Sequence, residues 1–317
     1  MPTIPAIENK TSGTTNFYLD FNSLTEEAFE RCGSELRTGF ELRSARRSLN
    51  LLTIEWANRG INLWTIEPGQ IALNQGQIMY PLPIDTIDLL DMVTRTGSGQ
   101  NQQDININRI SESTYITIPN KNATGRPIQV WINRQSGQDN PTNEPAINTT
   151  STITSTQTTI TLPSTVGLAQ FGFIKLDNET IQYGGISGSS LTGCIRGVNN
   201  TTAASHSAGT RVYVQNLPTI NVWPAPDQSN FYQFVYYRLR RLQYSGNGLT
   251  VQDIPFRFLP CLVAGLAAYM AMKIPDVPPD RIAMLRADYE AAFQLAADED
   301  REKASVRFVP RDMSYIR

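Results

Sequence analysis

Histidine is almost absent from this chain, with His206 alone among 317 residues. That excludes imidazole-rich metal centres. A Ser or Cys nucleophile would depend on this one ring, which lies in a Gly/Ser/Thr-rich stretch with no orienting partner in sequence. Cysteine is scarce as well. Cys32, Cys194 and Cys261 are far apart, odd in number and without C-x-x-C spacing, so they read as small buried hydrophobes of a reducing compartment. Surplus charge is also lacking, since 27 Lys and Arg against 29 Asp and Glu leave −2. A general nucleic-acid binder carries a basic excess, so any contact with nucleic acid is expected to be local or weak. The most apolar run, FLPCLVAGLAAYMAM, contains Pro260 and Gly265. It falls short of the ~20 residues that span a bilayer and predicts a buried helix and no membrane partner. The opening MPTIPAIENK has neither an apolar core nor a basic start and predicts no secretion leader. No G-x-x-x-x-G-K-[ST], H-E-x-x-H, G-x-S-x-G or post-strand G-x-G-x-x-G motif occurs. Asp88 and Asp91 are a conceivable acid/base pair but read better as rim residues, so no catalytic residue and no cofactor is expected.

What is present begins with SARRSLNLLTIEWANRGINLW. Leu42, Ala45, Leu49, Leu52 and Trp56 recur at steps of three or four and predict one buried helical stripe. Arg43, Arg46, Arg47, Asn50 and Arg59 cover much of the rest, and Gly60 supplies a left-handed stop. Before it, Ser23 and Glu26 have capping-box spacing and predict a short helix ending near Cys32 and Gly33. Helical signals return at Asp253, a candidate cap with Pro255 in the first turn of a helix reaching Lys273. A last helix is predicted from Asp280, with Ile282, Leu285, Tyr289, Phe293 and Ala296 on one face. Two helices at each end predict a four-helix bundle built from both chain ends.

Between them the period is extended. Short strands are predicted at 63–66, 70–73, 77–82, 87–95, 105–110 and 128–134, divided by turns such as Pro68-Gly69 and Asn74-Gln75-Gly76. The run FYQFVYYRLRR reads as a central strand whose basic end emerges at a surface. Residues 138–216 differ in style, being Thr/Ser-rich with frequent turns and strands predicted at 171–176, 180–183, 191–195 and 211–214. Removing them would join Ile132 and Asn133 to Ile220 and Asn221 as a hairpin. The fold class is therefore α+β: the bundle, an inserted antiparallel β-sandwich or barrel, and a second small all-β insertion. Expected domains are an arm at 1–16, the bundle at 17–62 plus 250–304, the β domain at 63–137 plus 217–249, the module at 138–216 and a tail at 305–317. Asp177, Glu179 and His206 in the module do not make a metal set and read as surface-turn residues.

RRSLNLLTIEWANRGINLW, RPIQVWINRQ, NVWPAPDQSNFYQFVYYRLRRLQ and DIPFRFLPCLVAGLAAYMAMK, followed by AADEDREKASVRFVP, together resemble the head-to-tail adaptor proteins of short-tailed phages, of the tail tubular A or gatekeeper-like type. The resemblance implies a structural virion protein at the neck, assembled in the host cytoplasm. It further implies a dodecameric homo-oligomer ring between portal protein and tail nozzle protein, with genomic DNA passing through its lumen without specific binding. The family's portal-binding tail maps onto SVRFVPRDMSYIR, where Arg307, Phe308, Val309, Arg311, Tyr315 and Ile316 alternate cationic and apolar anchors. Arg43, Arg46 and Arg47 are expected at a subunit or portal interface.

The module departs from the family pattern. Its E-x-I-x-Y, L-x-G-C-I-R-G-V-N and A-x-x-H-x-x-G-T stretches are similar to small β-modules of phage virion proteins and mark Asp177, Glu179, Tyr183, Arg196 and His206 as belonging to a module for a tail fibre or for decoration. Two rival readings rest on the module. A carbohydrate-binding or adhesin-like virion protein is suggested by Trp, Tyr and the Thr-rich stretch, and a glycan hydrolase would need a carboxylate pair such as Asp177 and Glu179.

Overall fold

Helices occupy both ends of the described chain and strands its middle. The computed structural model describes residues 17–60, 63–134, 147–244 and 250–300. In chain order the helices are α1 (Phe21–Cys32), α2 (Gly39–Arg59), α3 (Glu112–Ile116), α4 (Leu259–Ala271) and α5 (Pro279–Glu299). The strands begin with β1 (Ile66–Ala72), β2 (Met79–Pro81), β3 (Thr86–Thr96), β4 (Gln103–Asn106), β5 (Asn108–Ile110) and β6 (Gln129–Asn133). They continue with β7 (Ile160–Thr161), β8 (Gly172–Leu176), β9 (Glu179–Tyr183), β10 (Gly185–Ser187), β11 (Ser190–Thr192), β12 (Ile195–Val198) and β13 (Val212–Gln215). β14 (Thr219–Trp223) and β15 (Tyr232–Arg240) complete the set. The described residues up to Thr65 and from Leu242 onward form one unit, and Ile66–Arg241 forms the other. The architecture is mixed α and β with several antiparallel sheets.

In the first unit α1, α2, α4 and α5 share one apolar core containing Phe21, Phe29, Leu49, Leu52, Trp56, Leu262, Leu266, Tyr289 and Phe293. The predicted stripe is on its inner face, with Ala45, Leu49, Leu52 and Trp56 buried and Leu42 packed at the margin. Gly60 ends α2 in the left-handed conformation at φ 88°. The helix starts upstream of the predicted segment because Thr38 and Glu41 form a reciprocal capping box. The predicted Ser23–Glu26 box gives way to Asp20, whose carboxylate accepts the Ser23 amide at 2.7 Å. Starting at Phe21 lets that ring enter the core. Asp253 does not cap α4. Its carboxylate accepts the Gln243 amide at 3.0 Å, and a 3-10 turn at Phe256–Phe258 leads into the helix. α4 is buried almost throughout, as its composition demands. Among the described residues no helix is long and apolar enough to cross a membrane.

The second unit holds four open sheets and, among the described residues, no barrel. Sheets ordered β1-β15-β3-β4 and β2-β14-β6-β5 contribute to one core that includes Leu73, Leu82, Val130, Val222 and Phe234. β6 and β14 pair antiparallel with Ile132 opposite Ile220, whereas β5 runs parallel to β6. Pro68 and Gly69 do not separate two strands but lie inside β1. This strand is an edge, where a missing amide is tolerated, and a Cβ at residue 69 would run into the Tyr236 ring. β15 is central, as expected, but its basic end is not a free surface. Arg238 bonds to Glu67 at 2.7 Å and Asp85 at 2.5 Å, and Arg240 to Glu67 at 2.7 Å. Sheets ordered β10-β11-β7 and β12-β9-β8-β13 enclose their own core of Ile153, Ile160, Ile174, Leu176, Ile181, Tyr183 and Leu191.

Candidate functional site

β9 is an inner strand of its sheet and is buried along its whole length, which takes Glu179 out of solvent. The hairpin turn before it places Asp177 at φ 49°, and the stretch after β12 returns Ala204 and His206 to the same point. Arg196 on β12 holds Glu179 by two parallel bonds, Nε to Oε1 and Nη2 to Oε2, each 2.8 Å. The Gly197 and Ala204 amides donate to the same carboxylate at 3.0 Å. His206 links the pair of carboxylates, with Nε2 2.8 Å from Glu179 and Nδ1 2.8 Å from Asp177. Its main chain exchanges two bonds of 2.9 Å with Ile153. Arg196 also donates to the carbonyls of Thr154 and Ala204.

Burial alone would raise the Glu179 carboxyl. Hydrogen bonds from Arg196, Ala204, His206 and Gly197 more than reverse that and hold it at about 2. A buried charge is tolerable when its lone pairs are all engaged, and this carboxylate meets the condition.

These contacts correct the surface-turn reading of Glu179 and His206, which are 1% and 2% exposed. Tyr183 is equally buried and donates to the Ala169 carbonyl at 3.0 Å. Asp177 remains on the surface. The structure thus brings Asp177, Glu179, Arg196 and His206 together as an internal clasp, with Tyr183 in the neighbouring core. Glu179 has no free oxygen with which to act as a base. Among the described residues no group of three or more His, Cys, Asp or Glu side chains is placed to hold a metal. Asp88 is engaged by Arg109 at 2.9 Å and Arg134 at 3.2 Å, while Asp91 is exposed.

The arginines of α2 divide into two groups. Arg59 pairs with Glu55 at 3.3 Å and Glu290 at 2.8 Å, and its guanidinium lies 4.2 Å from the centroid of Phe293. It belongs to the helical core's rim and not to an outer basic surface. Arg43, Arg46 and Arg47 have no carboxylate partner among the described residues. Arg46 lies over the Phe21 ring at 5.4 Å, and its Nε is buried without a hydrogen-bond partner. With Phe40, these three line a groove of about 520 Å³. Phe40 is 65% exposed and precedes the apolar stripe, so its periodicity gave no hint of it. Arg307, Phe308, Val309, Arg311, Tyr315 and Ile316 lie outside the described residues.

No curated protein matches the chain. The family model described as SU10 adaptor protein matches residues 123–311, a stretch that takes in β6 to α5 and runs beyond the described residues at its end. That is more than half of the sequence, and the chain belongs to this family of phage head-to-tail adaptors, structural proteins of the virion that associate with its other components.

Proposed function

We propose that this chain forms a ring between the portal and the tail nozzle of a short-tailed phage, extends the DNA channel and offers a docking surface to the nozzle. The family match through residues 123–311 is the observation that carries the adaptor role. Ring closure follows when identical subunits meet head to tail at a rotation that divides the circle, and twelve copies is the number implied by the family resemblance. In this reading the helices from both chain ends act as one bundle toward the portal. The β domain at 63–137 plus 217–249 faces the nozzle, and the 138–216 module lies outside the channel, where a fibre or decoration can reach it.

The groove of Phe40, Arg43, Arg46 and Arg47 is the proposed subunit or portal interface. Arginine and aromatic side chains together are the composition of binding hot spots, and guanidinium groups without internal carboxylates await external ones. Protein is the favoured partner over DNA, since a cationic ring in the lumen would hold phosphate and slow passage. Residues 307–316 are the second proposed contact with the portal, and the arm at 1–16 a further contact with a neighbour. Support for a role without catalysis is the full hydrogen-bond occupancy of Glu179 and the ion pairing of Asp88.

Assembly on purified portal rings tests the reading. The wild-type chain is expected to form a ring on the portal visible by electron microscopy. The R43A/R46A/R47A variant is expected to lose at least tenfold in portal or subunit affinity while remaining folded. Wild-type affinity in that variant would exclude the groove as an interface, and location of the protein away from the neck of intact particles would exclude the ring.

A further inference from the structure

Two helices of the first unit each leave one face uncovered by the other described residues. On α2 the residues turned away from the core recur at steps of three and four, as Phe40, Arg43, Arg47, Leu51 and Ile54, and all five are exposed. Its apolar members stand well out of the fold, Phe40 at 65%, Leu51 at 54% and Ile54 at 48% exposure. A single apolar side chain in water is ordinary, but a row of them along a helix is the mark of a contact surface.

α5 carries the matching row. Asp280, Met284, Asp288, Ala291 and Leu295 recur at the same steps and are all exposed, Met284 at 59% and Leu295 at 74%. The charges are opposite, since the α2 row holds only cations and the α5 row only anions. Asp288 reaches Arg31 only at 3.7 Å, beyond hydrogen-bond range. Both rows lie opposite the sides that enter the shared core, so they cannot meet within one chain. Between two chains they fit. With the helices running the same way and Arg47 opposite Asp288, Ile54 stands opposite Leu295, each seven residues further on. Arg43 then comes within about one turn of Asp280, and Leu51 meets the short Ala291, which lets the helices approach closely.

We propose that the α2 row of one copy packs against the α5 row of the next copy, and that this pair of faces closes the ring. Contact between two different surfaces is heterologous and builds rings, not two-fold dimers. Pairing of α2 with α2 is disfavoured, because Arg43 and Arg47 would meet their own copies. The proposal rests on the ring reading above and deepens it, since it assigns Arg43 and Arg47 to a neighbouring subunit and not to the portal. One helix face is a small interface, so assembly is expected to need the portal as template.

Cysteines at positions 54 and 295 test the pairing, because the three native cysteines are buried. On portal rings treated with a short bis-maleimide, the Ile54→Cys/Leu295→Cys double variant is expected to give a ladder of covalent oligomers of this chain beyond the dimer. Each single variant is expected to give none, and an equal mixture of the two singles only dimers. Both positions are exposed, so the fold is preserved. In a second arm, Arg47→Glu and Asp288→Arg are each expected to lower the fraction of chain in rings at least tenfold, and the two changes in one chain to restore it to within threefold of wild type. Dimers from Ile54→Cys alone, crosslinks to the portal protein in place of the ladder, a double-cysteine chain that stays monomeric within rings seen by electron microscopy, or no recovery on charge exchange would each overturn the pairing while leaving the ring standing. Absence of any ring would overturn the pairing and the ring reading together.

Discussion

Arg196 on β12 grips Glu179 on the neighbouring strand β9 through two bonds of 2.8 Å, with side-chain exposures of 7% and 1%. Removing one member leaves the other charge buried and unpaired, which costs about 3–5 kcal/mol. Glu179→Gln and Arg196→Met are therefore each expected to destabilise residues 147–215, and the double variant to recover part of the loss. Segment-resolved hydrogen exchange is the appropriate measurement, because helix protection in the other unit should be unchanged.

The same clasp predicts a pH dependence. The Glu179 carboxyl sits at about 2 in the folded chain against 4.5 unperturbed, so its contribution is fully present above pH 4.5 and is lost as pH falls toward 2. That shift corresponds to roughly 3 kcal/mol. Protection of β9 and β12 should collapse over this window in the wild type, and the window should be absent in Glu179→Gln.

Trp56 Nε1 donates to the Tyr289 hydroxyl at 3.1 Å, and that hydroxyl donates to Glu55 at 3.2 Å. Trp56 is fully buried, so Tyr289→Phe leaves an indole N–H without a partner. The expected loss is about 1–3 kcal/mol, read as a lower thermal midpoint. Tyr289→Leu adds a packing defect and should cost more.

A Cβ on Gly265 of α4 would lie 2.7 Å from a Leu52 methyl and 2.9 Å from the Tyr289 ring. Both neighbours are held in the core, so neither can retreat freely. Alanine gains up to ~1 kcal/mol of helix propensity, but overpacking costs about 1–3 kcal/mol. Gly265→Ala should be neutral to destabilising by about 2 kcal/mol, and Gly265→Val more harmful, by calorimetry.

How much of this was legible in sequence depended on the range of the forces involved. The stripe from Ala45 to Trp56 and the pairing of Ile132 with Ile220 follow from periodicity and from composition breaks, which are local signals. Helix starts were displaced where two caps competed: Asp20 displaced Ser23, and Thr38 with Glu41 began α2 early. The Glu179 clasp was hidden because its members are up to 29 residues apart and look like surface polars until β9 becomes an inner strand. Its signal lay in how few charges the Thr/Ser-rich module contains.

All three cysteines are free and buried, as their scatter predicted. Burial pushes Cys32 and Cys194 up to about 11 and Cys261 to about 12. Thiolate is the reactive form, so native protein at pH 8 should resist iodoacetamide and denatured protein should take up three labels, counted by mass spectrometry. Native-state labelling of Cys261 within minutes would contradict the burial of α4.

Arginines of α2 should separate into structural and interfacial members when each is removed. Arg59 is held by Glu55, Glu290 and the Phe293 ring, so Arg59→Ala should lower the thermal midpoint by the equivalent of about 1–2 kcal/mol. Arg43 and Arg47 are exposed and unpaired among the described residues, so their truncation should change stability by less than about 0.5 kcal/mol. Portal or subunit affinity should follow the opposite order, falling in Arg43→Ala and Arg47→Ala and nearly unchanged in Arg59→Ala once the comparison is made well below the midpoint. Higher salt should weaken wild-type docking more than that of the R43A/R47A variant, because the charges it screens are the ones the variant has already removed. Equal salt dependence in the two proteins would place the docking charges elsewhere on the surface.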